Sequence, residues 1–180
     1  WWRFAGGNAC EALAAKTVVN RNSRRVCVAR KGTKKYYIKR RGYRMEELCA
    51  GIKFMNKEHK DFFCRNLLKC RELDIYHMAL IYCLGIDRTV REHFENVYDL
   101  KAGLIRTESL QEGWQTSGSK RAIRLAFNLY TNGIASVDDY EDEEERLDEC
   151  RSYAVEEIFC CGYAPYFWQA VRLRYPEFCG

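Results

Sequence analysis

An all-α fold is what this sequence predicts, with about six short helices in one compact domain over residues 55–180. Apolar residues recur there at the three- and four-residue spacing of a helix, and capping residues or glycines separate the apolar segments. No segment in this part alternates between apolar and polar residues as a half-buried strand does. The chain has 180 residues, of which 47% are hydrophobic and 14% aromatic, enough to bury a core.

Residues 1–54 differ in composition from the rest of the chain. They hold 14 Lys and Arg against 3 Asp and Glu, whereas residues 55–180 hold 16 against 22. The net charge of +5 therefore combines a basic segment of +11 with a domain of −6. The sequence starts at Trp1, and the helical pattern becomes coherent only at Met55. One interpretation is that residues 1–54 are an upstream region outside the native product. The other is that they form a basic N-terminal extension.

As part of the protein, this extension has the pattern of a basic β-hairpin. Residues 25–29 alternate, Lys31 and Gly32 are a turn signal, and residues 35–39 favour a strand. Residues 21–44 contain 11 basic residues and no acidic one, so they suit nucleic-acid phosphates, while the tyrosines suit stacking on bases. The alternatives are a solvated tail or a segment that docks on the acidic domain. The candidate nucleic-acid-binding residues are Arg24, Arg25, Lys34, Lys35, Tyr36, Tyr37, Lys39, Arg40 and Arg41.

Two helices are predicted at the start of the domain. Asn56 is a suitable N-cap for the first, which has Phe63 and Leu67 on its apolar face. Asp74 is a suitable N-cap for the second, IYHMALIYCL, which is apolar on nearly every side and ends at Gly85. We therefore expect the second helix to be the buried centre of the domain.

A third helix is predicted from the cap residue Asp87, over the segment RTVREHFENVYDL. Its buried face contains Val90, Phe94 and Val97, and charged residues occupy the opposite face. A linker over residues 101–112 is expected to follow, because glycine interrupts the helical pattern there.

The loop of residues 113–120 leads into the next helix, whose apolar face contains Ala126 and Phe127 and whose expected cap is Ser117 or Ser119. The loop reads G-x-x-x-x-G-S-K, close to the phosphate-binding pattern G-x-x-x-x-G-K-[ST]. No apolar strand precedes it and Ser119 stands in place of the lysine, which argues against nucleotide hydrolysis. Helix capping and anion binding by helix N–H groups both remain open. The candidate binding residues are Trp114, Gln115, Thr116, Ser117, Ser119, Lys120, Arg121 and Arg124.

Two further helices complete the prediction. Eight acidic residues between Asp138 and Asp148 favour the start of a helix, which is expected to bury Leu147 and Ile158 and to end at Gly162. Pro165 is expected to start the last helix, PYFWQAVRLRY, whose aromatic side chains, including Trp168, close the core.

The sequence predicts no catalytic residue, metal site or cofactor. It has ten cysteines and three histidines, but no C-x-x-C pair and no zinc-finger spacing, so reduced thiols in a cytoplasmic protein are favoured. A nucleophilic pair of Cys83 with His77, or of Cys64 with His93, remains an alternative. There is no secretory signal and no apolar run of membrane-spanning length, so no membrane partner is expected.

Three motifs point to a family. They are A-L-I-Y-C-L-G at residues 79–85, V-Y-D-L at residues 97–100 and L-Q-E-G-W-Q-T-S-G-S-K-R-A-I-R-L-A-F-N-L-Y at residues 110–130. Over about residues 55–180 the chain resembles a family of small uncharacterised helical proteins from Gram-positive bacteria and their phages and mobile elements. The resemblance implies a helical fold and carries no activity or functional residue. Residues 1–54 have no counterpart in it.

We therefore expect a small non-enzymatic cytoplasmic protein that binds another macromolecule, most simply a protein, through the loop around Trp114. Its aromatic and hydrogen-bonding side chains are typical of such sites. The alternatives are nucleic-acid binding through residues 21–44 and a small enzyme or anion sensor that uses residues 113–120. A phage or mobile-element accessory role fits the resemblance, and the sequence leaves the oligomeric state open.

Overall fold

The computed structural model describes residues 48–179, so the predicted basic hairpin and all of the candidate nucleic-acid-binding residues lie outside the described part. The described residues form eight α-helices, one two-stranded antiparallel hairpin and three short 3₁₀ helices. The prediction of a mainly helical domain is confirmed.

The helices lie in chain order as follows: α1 (Lys57–Leu67), α2 (Ile75–Leu84), α3 (Arg88–Glu92), α4 (Phe94–Val97), α5 (Ser117–Thr131), α6 (Glu143–Arg151), α7 (Val155–Phe159) and α8 (Ala164–Arg174). Strand β1 (Tyr98–Asp99) pairs with β2 (Leu104–Ile105) between α4 and α5. The 3₁₀ helices are Thr107–Gln111, Ala135–Asp139 and Pro176–Phe178.

Helix α2 is the centre of the domain, as predicted. Its N-cap Asp74 accepts a hydrogen bond from the His77 backbone N–H at 2.8 Å, and every residue of the helix except Tyr76 is buried. It packs against α1, α5 and α8. A side chain at Gly85, where α2 ends, would come within 2.8 Å of His59 and Phe62 on α1, so glycine allows the two helices to approach.

Helix α1 begins at the predicted cap, because the Asn56 side chain accepts from the His59 backbone N–H at 2.8 Å. The side chain of His59 is fully buried. Its Nε2 lies 2.8 Å from the Tyr82 carbonyl oxygen on α2, and its Nδ1 lies 3.3 Å from the Met55 backbone nitrogen. A neutral imidazole with the proton on Nε2 satisfies both contacts. The sequence analysis did not single out this buried histidine.

The segment predicted as one third helix divides into α3, α4 and β1. The first break falls at His93, and the chain leaves the helical conformation at Tyr98, which pairs with Ile105. The Asp99 side chain accepts from the Lys101 backbone N–H at 3.0 Å, and Gly103 supplies the positive φ of the turn. The expectation of no strand after residue 55 is therefore wrong. Strands of two residues are too short to show an alternating pattern.

The acidic segment also forms two helices, α6 and α7, and its inward face differs from the prediction. Leu147 is 52% exposed, while Glu149 is 4% exposed and lies against α5. In the last helix Phe167 is buried as expected, but its neighbour Trp168 is 55% exposed. Helical spacing identified these segments, but the inward face of each was predicted from apolar residues alone. In α6 the ion pair of Glu149 with Arg124 is buried instead, so Leu147 faces outward.

Candidate functional site

The segment of residues 112–119, called the Trp114 loop below, follows the 3₁₀ helix Thr107–Gln111 and includes the first three residues of α5. Thr116 caps α5: its Oγ1 accepts from the Ser119 backbone N–H at 3.1 Å, and the Ser119 Oγ accepts from the Thr116 backbone N–H at 2.6 Å. This reciprocal pair is a capping box. The predicted cap at Ser117 or Ser119 is therefore wrong: the cap is the residue before Ser117, and Ser119 is the third residue of the helix, where it completes the box.

The Trp114 indole is held in one orientation by two neighbours. It stacks on the His93 ring with a centroid separation of 4.4 Å and an interplanar angle of 10°. Its Nε1–H donates to a carboxylate oxygen of Glu112, which also accepts from the Asn96 Nδ2 at 3.0 Å. The hydrogen bond from Asn96, and then that from Trp114, lower the pKa of Glu112. The indole is half-buried, so part of a fixed aromatic surface faces outward.

The other loop side chains divide between inside and outside. Ser119 is buried in the capping box, and Gln115 donates from its amide to the Ser109 carbonyl. The Gln115 Oε1 is buried and has no hydrogen-bond partner among residues 48–179. Thr116 and Ser117 are exposed. The outward surface of the loop therefore includes part of Trp114 and two hydroxyl residues.

The predicted cationic residues at the start of α5 bind other parts of the domain. Arg121 donates to the Cys160 carbonyl at 2.9 Å. Arg124 forms two hydrogen bonds, of 2.9 and 2.6 Å, with the carboxylate of Glu149, and both side chains are largely buried. Lys120 is half-buried. These contacts tie α5 to α6 and to the end of α7.

A buried polar cluster surrounds that ion pair. The Ser136 Oγ lies 2.6 Å from a Glu149 oxygen and 2.7 Å from the Tyr153 hydroxyl. Burial raises the pKa of Tyr153, so the phenol keeps its proton. Glu149 lies in the acidic segment, and the signal that could have found it in the sequence is Arg124, a cation that lies between two buried apolar residues of α5.

Tyr163 is a second residue that the sequence analysis missed. Its ring lies against the Trp114 loop, because a Cβ atom at Gly118 would be 3.1 Å from it. Its hydroxyl donates to the Asp87 carboxylate at 2.8 Å, and the other oxygen of that carboxylate caps α3. Burial, and then the bond to Asp87, raise the pKa of Tyr163 to about 12. This tyrosine fixes the loop relative to α3.

The histidines and cysteines proposed as nucleophilic pairs have other neighbours. The His77 ring lies 2.8 Å from Asp74 through Nδ1 and 3.4 Å from the Tyr130 hydroxyl through Nε2. Cys83 is fully buried, which raises the pKa of its thiol well above the usual range. Cys64 lies 3.3 Å from the sulfur of Cys49. These contacts are typical of a packed interior and hold neither sulfur against a histidine.

A surface groove lies between α1 and α3. Its volume is about 690 Å³, and both positive and negative side chains line it. Arg91 donates from one guanidinium nitrogen to the Gly85 and Ile86 carbonyls at 2.7 and 3.0 Å, and Arg88 is paired with Glu92. Two of the arginines in this groove therefore already have protein partners.

Comparison with protein families gives the wider context. Residues 49–180 match DUF6075, which is described as a family of unknown function. The chain belongs to DUF6075. The resemblance to a family of uncharacterised proteins is confirmed to that extent, and the match covers the whole Trp114 loop. No curated protein and no solved structure matches the chain.

Two further properties concern the described part of this DUF6075 chain. None of its helices has the length and apolarity that crossing a membrane requires. Within residues 48–179, no group of three or more His, Cys, Asp or Glu side chains is arranged to bind a metal ion.

Proposed function

We propose that this DUF6075 protein is a non-enzymatic cytoplasmic binding protein, and that another protein binds it at the Trp114 loop. The observation that carries the proposal is the half-buried indole of Trp114, fixed by the His93 ring and the Glu112 carboxylate. A side chain that is ordered before binding loses little conformational entropy in a complex. Tryptophan is also among the residues that most often dominate binding energy at protein interfaces.

The surroundings of the indole support a protein partner over a small anion. Thr116 and Ser117, which follow Trp114 closely in the chain, are exposed polar residues, and such residues suit the polar rim of an interface. The arginines that an anion site would need are already bound, Arg121 to the Cys160 carbonyl and Arg124 to Glu149. We also propose, from the motifs of residues 110–130, an accessory role in a phage or mobile element of Gram-positive bacteria.

A site-specific photo-crosslinker tests the proposal in the source cells. A benzophenone amino acid replaces Ser117 in the loop, and the matched control carries it at Lys57, which is 85% exposed on α1. We expect a discrete protein adduct from position 117. Trp114→Ala should abolish it, and Trp114→Phe should retain part of it because the phenyl ring can still stack on His93. Adducts that are the same from both positions, or that persist in Trp114→Ala, would contradict the proposal.

Nucleic-acid binding through residues 21–44 is the alternative proposal, supported by their 11 basic residues without an acidic one. Its test compares the full chain with a chain that starts at Leu48. The shorter chain keeps Lys53, whose carbonyl accepts from the Tyr82 hydroxyl, and Phe54, which packs on Phe63. Nucleic-acid binding that weakens steeply with salt in the full chain and is lost in the shorter one would favour this alternative.

A further inference from the structure

Two cysteines meet where the chain enters the domain. The Cys49 and Cys64 sulfur atoms lie 3.3 Å apart. Cys49 is buried in the turn before α1, where its carbonyl accepts from the Ile52 backbone N–H at 3.2 Å. Cys64 is half-buried on α1 itself. The pair therefore joins the entry segment to the first helix.

The geometry allows a covalent bond with little movement. A disulfide has a sulfur–sulfur distance of about 2.05 Å, so each sulfur atom needs to move by only about 0.6 Å. The two residues are 15 positions apart in the sequence, which is far enough for a relaxed loop. The other described cysteines differ in their surroundings: Cys83 is fully buried, and Cys160 and Cys179 are exposed.

We propose that Cys49 and Cys64 form an oxidation site, at which a hydroperoxide converts the two thiols into an intramolecular disulfide. Cys64 is the more accessible sulfur and reacts first. Its thiolate attacks one peroxide oxygen, the O–O bond breaks, and hydroxide leaves with a sulfenic acid on Cys64. The Cys49 sulfur then attacks the Cys64 sulfur, the S–O bond breaks, and the Cys49 proton leaves with the hydroxide as water. Two thiols and one hydrogen peroxide thus yield one disulfide and two waters.

The surroundings of the pair support this order. Burial, and then the hydrogen bond with the reduced Cys64 thiol, raise the pKa of Cys49 to about 12, and the Lys60 ammonium acts in the opposite direction. Cys49 therefore stays a protonated, buried thiol, which suits the second step of the reaction and not the first. The disulfide would fasten the turn at Cys49 to α1, next to the segment where Phe54 packs on Phe63 and Tyr82.

Peptide mapping of the full chain tests the site. The reduced, folded protein is treated with hydrogen peroxide, remaining thiols are alkylated, and the digest is analysed without reduction. We expect a linked peptide pair that contains Cys49 and Cys64 and is lighter by two hydrogen atoms than the two separate peptides. Oxidised protein should also have a higher Tm than reduced protein, and dithiothreitol should reverse the difference.

Variants separate this pairing from general thiol oxidation. Cys49→Ser should leave a sulfenic acid on Cys64 that dimedone traps, whereas the double variant Cys160→Ser and Cys179→Ser should form the disulfide as the wild type does. The mapping of the wild type stands even if Cys49→Ser does not fold. Alkylation of Cys49 and Cys64 in separate peptides after treatment, or their linkage only in denaturant, would overturn the proposal.

Discussion

Protonation of the buried His59 should make the domain less stable as the pH falls from 7 to 4. Burial, opposed by the hydrogen bond to the Tyr82 carbonyl and aided by the charge of Arg91, lowers the pKa of His59 from its ordinary value of 6.5 to about 4. Between these two pKa values, the His59 ring is therefore protonated in the unfolded chain and neutral in the folded chain. The free energy of unfolding has its full value above pH 6.5 and decreases as the pH falls towards 4.

The size of the effect follows from the two pKa values. A difference of one in pKa corresponds to about 1.4 kcal/mol, so the step from 6.5 to about 4 makes unfolding easier by about 3 kcal/mol. The structural cause is the second ring nitrogen. The Nδ1 accepts from the Met55 backbone N–H. A proton on Nδ1 would turn it into a donor that faces another donor, so this hydrogen bond would be lost.

Unfolding in urea, measured between pH 7 and pH 4.5, checks this expectation. His59→Gln can donate to the Tyr82 carbonyl and accept from the Met55 N–H without changing its charge, so its free energy of unfolding should vary much less with pH. Lys57→Gln, on the exposed face of α1, is the matched control and should retain the wild-type slope. Equal slopes for wild type and His59→Gln would refute the assignment of this pH dependence to His59.

Three further substitutions test the packing and the loop. Gly85→Ala brings a Cβ within 2.8 Å of α1 and should lower the free energy of unfolding by about 1–3 kcal/mol, whereas Gly113→Ala, which meets open space, should change it little. Glu149→Gln leaves a buried guanidinium without its counterion and should cost about 3 kcal/mol; a loss below about 1 kcal/mol would show that the pair is solvated. Thr116→Ala removes the cap of α5 and should cost about 1 kcal/mol. Ser117→Ala is its control, and equal losses in thermal unfolding would argue against the capping box.

Much of the Trp114 loop could be identified before its structure because it is contiguous in the chain. An aromatic residue, hydroxyl residues and a helix start follow one another within residues 113–120. Two residues that position the loop come from elsewhere: His93, which stacks on the indole, lies between α3 and α4, and Tyr163, which packs at Gly118, lies just before α8. No short-range pattern connects these positions, so only the folded chain shows that Trp114 is fixed in place.

The sequence by itself determined where the first three helices begin and which helix lies at the centre. The caps at Asn56, Asp74 and Asp87 act on backbone N–H groups within three residues, and the apolar composition of α2 buries it in any compact packing. Only the tertiary structure decided which residue of α6 faces inward. The Glu149 side chain faces the interior because Arg124 on α5 donates two hydrogen bonds to its carboxylate there. Such a choice depends on groups that meet across space, whereas caps and periodicity depend on neighbours in the chain.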